Sequence, residues 1–113
     1  MMKVQLELLL QSAVDFNLKE EFCKHGWKGH LNSHNAEQIL KGKSPYSYLI
    51  RLGEEKSKFT LSYVRADGTI QHVHFVLVDW VYGIFQNGGP FKATLDVLIR
   101  YKMNCTESQA CPV

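Results

Sequence analysis

The sequence predicts an α+β fold: a central antiparallel β-sheet flanked by one α-helix on each face, with an extra helical segment ahead of it. Three observations lead there. Residues 58–65 and 70–77 alternate apolar and polar side chains around Asp67-Gly68, a pair that favours a tight turn because glycine accepts positive φ and aspartate tolerates it. Residues 46–51 make a third strand-forming run, rich in Tyr, Leu and Ile. Stretches with helical spacing lie on both sides of these strands, Ala36, Ile39 and Leu40 before them and Leu95, Leu98, Ile99 and Lys102 after them.

Taken in order, residues 3–24 read as helical, with Leu6, Leu9, Leu10 and Ala13 on one face. Asn17 followed by Glu20 is an N-cap signature, so a second short helix is expected over 18–24. This segment is either a helical extension packed on its own domain or a docking helix. A glycine-punctuated stretch, 26–31, leads to a helix that Asn32 or Ser33 can cap and Gly42 can end. In the strand that follows, Tyr48 and Ile50 share one face and Leu49 and Arg51 the other. Across the hairpin, Phe59, Leu61 and Tyr63 fall on one face, as do Val73, Phe75 and Leu77, leaving His72 and His74 opposite. A short strand is expected over 80–84, a flexible loop over 86–90, and a last helix capped by Thr94. The resulting division is a helical extension at 1–25, a domain at 26–104 and a polar tail at 105–113.

A chain of 113 residues suffices for one core. A net charge of +2, with no interleaving of basic and aromatic residues, argues against nucleic-acid binding. Cys23, Cys105 and Cys111 are too few and too scattered for a disulfide framework or a four-ligand zinc module, and reduced thiols in the cytosol are the simpler reading. Apolar runs are short and broken by Glu7 or Asp79, so neither a membrane span nor a secretory signal is expected. His30 and His34 are four apart and His72 and His74 share a strand face, a spacing that could serve a zinc site, but separate surface or satisfied histidines are the simpler reading. Ser57 and Ser62 have no partners implied by sequence, Cys23 has no activating context, and no glycine loop matches a nucleotide fingerprint, so an enzyme is not expected.

Arg51 demands the most explanation. A guanidinium that follows an apolar neighbour on a core-directed face has to be paired or reach a ligand. The loop after it offers backbone N–H groups, the Lys56 ammonium and the Ser57 hydroxyl, a setting suited to a phosphate dianion. Taken alone, a strand-end arginine is more often simply solvated.

The order of short motifs carries more weight. Gly26-Trp27-Lys28-Gly29-His30-Leu31, Ala36-Glu37-Gln38-Ile39-Leu40, Ser47-Tyr48-Leu49-Ile50-Arg51, Phe59-Thr60-Leu61-Ser62 and Ile70-Gln71-His72-Val73-His74-Phe75 succeed one another, followed by Tyr82-Gly83-Ile84, Phe91 and residues 95–101. Together they resemble the Src homology 2 domain, the phosphotyrosine-binding module of signalling proteins. The resemblance implies an adaptor that uses no cofactor, does no chemistry and binds tyrosine-phosphorylated proteins or peptides in the cytoplasm. It implies that Arg51 grips the phosphate, that His72 flanks the tyrosine ring, and that His74 stands where the family often has lysine. Glu54, Glu55, Lys56 and Ser57 would form the loop wrapped around the phosphate, and flanking peptide would cross the sheet near Val73 and Phe75.

The chain departs from the family pattern at several positions. Gly26 replaces the usual tryptophan, Ser33 stands where an early helix arginine often helps hold the phosphate, and Gly53 replaces a serine two residues after Arg51. Ser33, His34, Lys56, Ser57 and His74 are the candidates to fill those contacts. The loop before Phe91 is longer than usual and the region after Tyr101 is short; these are the parts that form the family's pocket for residues after the phosphotyrosine. Such divergence is of the kind found in bacterial effector proteins, which would place the chain in a host cytosol. The rival reading is a scaffold of the same fold that has lost the ligand, with Arg51 paired internally to Glu37, Glu54 or Glu55.

Overall fold

The computed structural model describes residues 18–53 and 58–113. Residues 3–17 of the helical stretch expected over 3–24, the Asn17 cap expected for the short helix at 18–24, and the loop of Glu54, Glu55, Lys56 and Ser57 lie outside the described residues. In chain order the elements are α1 (Leu18–Lys24), β1 (Trp27–His30), α2 (Ser33–Leu40), β2 (Ser47–Leu52), β3 (Phe59–Val64), β4 (Ile70–Asp79), β5 (Ile84–Gln86), β6 (Lys92–Ala93), α3 (Leu95–Met103) and β7 (Cys111–Pro112).

The strands follow the order β1-β2-β3-β4-β5-β6, with β7 also paired to β2. The β2–β3–β4 centre is antiparallel, in the register Leu49↔Ser62↔His72 and Arg51↔Thr60↔His74. Strands β1 and β7 instead pair with β2 in parallel, so the sheet is mostly rather than wholly antiparallel. The hairpin turn is at Asp67-Gly68, where Gly68 takes φ +91° and the Asp67 carboxylate accepts the Thr69 N–H at 3.0 Å.

Alternation along the strands sorts the side chains into two layers. Tyr48, Ile50, Phe59, Leu61, Tyr63, Phe75 and Phe85 join Leu95, Leu98, Ile99 and Met103 of α3, and Leu18 and Phe22 of α1, in one large core. Phe22, Phe59, Phe75 and Phe85 meet edge-to-face, tilted or stacked, with centroids 4.7–6.3 Å apart. The segment read as an extension thus inserts its two fully buried residues into the same core as α3. On the opposite face α2 contributes Ala36 and Leu40 to a smaller cluster with Leu49 and Val64. The Asn32 side chain caps α2 by accepting the Asn35 N–H at 2.8 Å.

Three local expectations are corrected. Strand β2 begins at Ser47 because Tyr46 has φ +69°, a left-handed conformation that a strand cannot contain. Residues 80–83 form a turn rather than a strand, since the Asp79 carboxylate accepts the N–H groups of Val81 and Tyr82 at 3.1 and 3.2 Å. The polar tail returns to the sheet: the Cys111 N–H donates to the Tyr46 carbonyl at 3.0 Å and the Val113 N–H to that of Tyr48 at 2.9 Å. This last contact accounts for Gly26. It has φ +73°, and a Cβ there would lie 3.1 Å from the Tyr48 carbonyl oxygen and 3.3 Å from the Val113 nitrogen.

Candidate functional site

The polar face of the sheet meets the start of α2 at Arg51. Its side chain is 1% exposed, because β2 directs it toward α2 and the chain closes over it. Nε donates to Ser62 Oγ of β3 at 3.0 Å, Nη1 to the Leu31 carbonyl at 2.8 Å, and Nη2 to Ser33 Oγ at 3.2 Å. Nη2 also lies 3.2 Å from His72 Nδ1 on β4. Four elements or their flanks therefore converge on one guanidinium, and this fixes the fork before any ligand arrives.

His72 links the cluster to α2. Its Nε2 is 2.8 Å from the Glu37 carboxylate, which only accepts, so Nε2 carries the proton. Nδ1 is then the acceptor, for the Ser62 hydroxyl at 2.8 Å and for Arg51 Nη2. The result is a directed chain from cation to carboxylate: Arg51, Ser62, His72, Glu37. The imidazole partner of Ser62 is one that the sequence did not imply. The connectivity is that of a hydroxyl, imidazole and carboxylate triad, but Ser62 is fully buried and accepts from Arg51, so its oxygen has no surface from which to meet a substrate.

Gly53 is explained by the same guanidinium. A Cβ at that position would lie 2.1 Å from Arg51 Nη1, so the serine usual there cannot coexist with the present arginine rotamer. Ser33, first residue of α2, brings the helix N-terminus against Nη2, and two positive fields meet at one point.

The remaining expected site residues divide. His74 is two register pairs along from His72, exposed, with Nδ1 3.0 Å from Thr60 Oγ1. Val73 packs against the large core half-buried, and Phe75 is 3% exposed inside it, so its ring is chiefly structural. Glu54, Glu55, Lys56 and Ser57 are outside the described residues. Glu37, considered in sequence only as an arginine partner, turns out to hold His72; its place in the second turn of α2, facing β4, could have suggested this. Among the described residues no group of His, Cys, Asp or Glu is arranged to hold a metal ion, and no helix is long and apolar enough to cross a membrane. Cys23, Cys105 and Cys111 are free thiols, and burial pushes the Cys105 thiol above its ordinary value despite the nearby Arg100 guanidinium.

The comparisons agree with this geometry. The fold is similar to the solution structure of the VAV1 SH2 domain complexed with a tyrosine-phosphorylated peptide from SLP76, with a TM-score of 0.52 and 18% sequence identity. The alignment covers 71% of this chain, which spans 57% of the length of that one. No curated protein matches the sequence. The family model of the SH2 domain matches residues 27–101, from the start of β1 to within α3. With well over half of its length matched, the chain belongs to the SH2 domain family.

Proposed function

We propose that this chain is a phosphotyrosine reader whose phosphate pocket is centred on Arg51, serving as a non-catalytic interaction module in signalling. The observation that carries the reading is the convergence of a pre-oriented guanidinium, the N-terminus of α2 and His72 on one face of the sheet. The VAV1 domain was solved with a tyrosine-phosphorylated peptide, and a shared family makes the same ligand class the first to test here.

In this reading Ser62 and the Leu31 carbonyl keep hold of the guanidinium while Nη2 exchanges Ser33 and His72 for phosphate oxygens. A phosphate carrying about −1.5 to −2 charge offers the guanidinium an opposite charge and paired acceptors, which the Ser33 hydroxyl and the His72 ring it displaces do not. Glu37 keeps His72 in one tautomer, presenting its ring edge to the tyrosine ring. Phosphoserine is too short to bring its phosphate to a guanidinium this deeply set.

One observation favours a scaffold that has lost the ligand: Arg51 is buried and already engages Leu31, Ser33, Ser62 and His72. Calorimetric titration separates the two. A phosphotyrosine peptide should bind while its unphosphorylated twin does not, and Arg51→Lys should weaken binding while keeping the fold, because an ammonium cannot form the paired bonds of the fork. A folded wild-type protein that ignores phosphate across a varied peptide library is the scaffold.

A further inference from the structure

Five tyrosines are spread over the chain, and four of them are engaged. Tyr46 packs against the large core. Tyr48 shares its hydroxyl with His25 Nδ1 at 2.8 Å, and Tyr63 donates to the Lys102 carbonyl at 3.3 Å. Tyr101 is stacked on Phe91, with ring centroids 4.2 Å apart. Tyr82 is the exception. It is 74% exposed, and among the described residues its ring stacks on no other and its hydroxyl has no hydrogen-bond partner.

The backbone accounts for this exposure. Strand β4 runs out at Asp79, whose carboxylate accepts the N–H groups of Val81 and Tyr82 and holds residues 80–83 as a turn at the end of the sheet. The chain then returns at Ile84, which pairs with Asp79. Trp80 and Val81 are each 41% exposed on the same turn, so the phenol stands beside an uncovered apolar surface. None of residues 80–82 belongs to either core cluster, and the turn can open without unpacking them.

We infer that Tyr82 is a phosphorylation site, and that the phosphotyrosine made there is a ligand for the Arg51 pocket of a second copy of this chain. The inference rests on the phosphotyrosine reading above. A tyrosine kinase with ATP performs the modification: Tyr82 Oη bonds to the γ-phosphorus as the bond to ADP breaks, and the phenolic proton passes to the kinase's carboxylate base. Distance requires the second copy. His72, beside Arg51, and Asp79, before the turn, are seven residues apart on one strand, about 23 Å, which is more than a tyrosine side chain spans. Pairing with β3 and then β5 holds β4 straight over that length, so Tyr82 cannot enter its own pocket. The neighbours of Tyr82 suit entry to another: Gly83 has no side chain to strike the pocket rim, and Trp80 and Val81 lose exposed apolar surface in the contact. The added phosphate brings the charge that a guanidinium takes in paired bonds.

Each step has its own test. Incubation of the whole chain with a broad-specificity tyrosine kinase and ATP should add a phosphoryl group that fragment mass spectrometry places on Tyr82 and that Tyr82→Phe lacks. Light scattering should then give the phosphorylated chain a higher mass than the unmodified chain, and Arg51→Lys or an excess of phosphotyrosine peptide should each abolish the difference. A synthetic peptide of residues 77–87 phosphorylated at Tyr82 should bind the unmodified chain, and bind Arg51→Lys about tenfold or more weakly. No modification, or modification only at other tyrosines, overturns the acceptor assignment. If other phosphotyrosine peptides bind, a phosphorylated chain of unchanged mass and a 77–87 phosphopeptide that does not bind overturn the self-ligand and leave the Arg51 reading standing. Failure of every phosphotyrosine peptide to bind removes both.

Discussion

The two faces of the central sheet are built from the same strands and do opposite work. Toward α1 and α3, every second residue is aromatic or aliphatic, and Phe22, Phe59 and Phe85 are fully buried. Toward α2, the intervening residues are Arg51, Thr60, Ser62, His72 and His74, with only a four-residue buried apolar cluster beside them. The aromatic face gains its free energy from area and packing; the polar face has to satisfy a buried cation through hydrogen bonds. Because side chains alternate at each residue, a single strand such as β3 can serve both, with Phe59 and Leu61 on one side and Thr60 and Ser62 on the other. A substitution should therefore damage folding or recognition according to its parity along the strand.

The largest effect is expected from Phe59→Ala. It removes the ring that contacts Phe22, Phe75 and Phe85, and should cost about 3–5 kcal/mol of stability by denaturant titration. On the opposite parity, at Arg51 across from Thr60, the loss should shift from folding to binding. Arg51→Ala should reduce phosphopeptide affinity by about 2–5 kcal/mol in calorimetry, and Arg51→Lys less, with a cooperative unfolding transition retained.

Gly53→Ser restores the residue the family usually carries, yet its Cβ falls on Arg51 Nη1. It should cost about 1–3 kcal/mol in thermal unfolding and shift the Arg51 Nε–H resonance as the guanidinium leaves Leu31. A fully stable Gly53→Ser variant with an unmoved resonance would show that the rotamer is not locked.

The smallest effect belongs to a polar atom on the aromatic face. Tyr48 donates or accepts a 2.8 Å bond with His25 Nδ1, and Tyr48→Phe should cost about 1 kcal/mol. Burial, reinforced by nearby Cys105, Cys111 and Asp96, raises the Tyr48 phenol far above its ordinary value. The folded state thus resists an ionisation that the unfolded chain allows. Stability from this group is intact below pH about 10 and declines above it, a decline that Tyr48→Phe should lessen.

The parity of the strands was plain in the sequence, since period-two patterning at 58–65 and 70–77 is a local signal, and so was the turn at Asp67-Gly68; the cap of α2 was narrowed to Asn32 or Ser33, of which the structure uses Asn32. Arg51 stood out because a charge on an apolar face is anomalous wherever it occurs. What could not be read there depends on contacts between distant residues. The pairing of Cys111–Pro112 with β2 involves too few residues to carry a periodic signature. Gly26 and Gly53 are glycines for unrelated reasons, one a positive φ beside a returning strand and the other a guanidinium lying across the backbone. The bond of Glu37 to His72 joins residues 35 apart, and neither residue type requires the other.

The central claim, that recognition lives on one face and stability on the other, is tested most directly by an NMR titration of isotope-labelled protein with a phosphotyrosine peptide. Saturable shifts should concentrate at Ser33, the Arg51 Nε–H, Ser62 and His72, and spare Phe22, Phe85 and Leu98. Shifts centred on the aromatic face, or none under conditions where the peptide is in excess, would contradict the account.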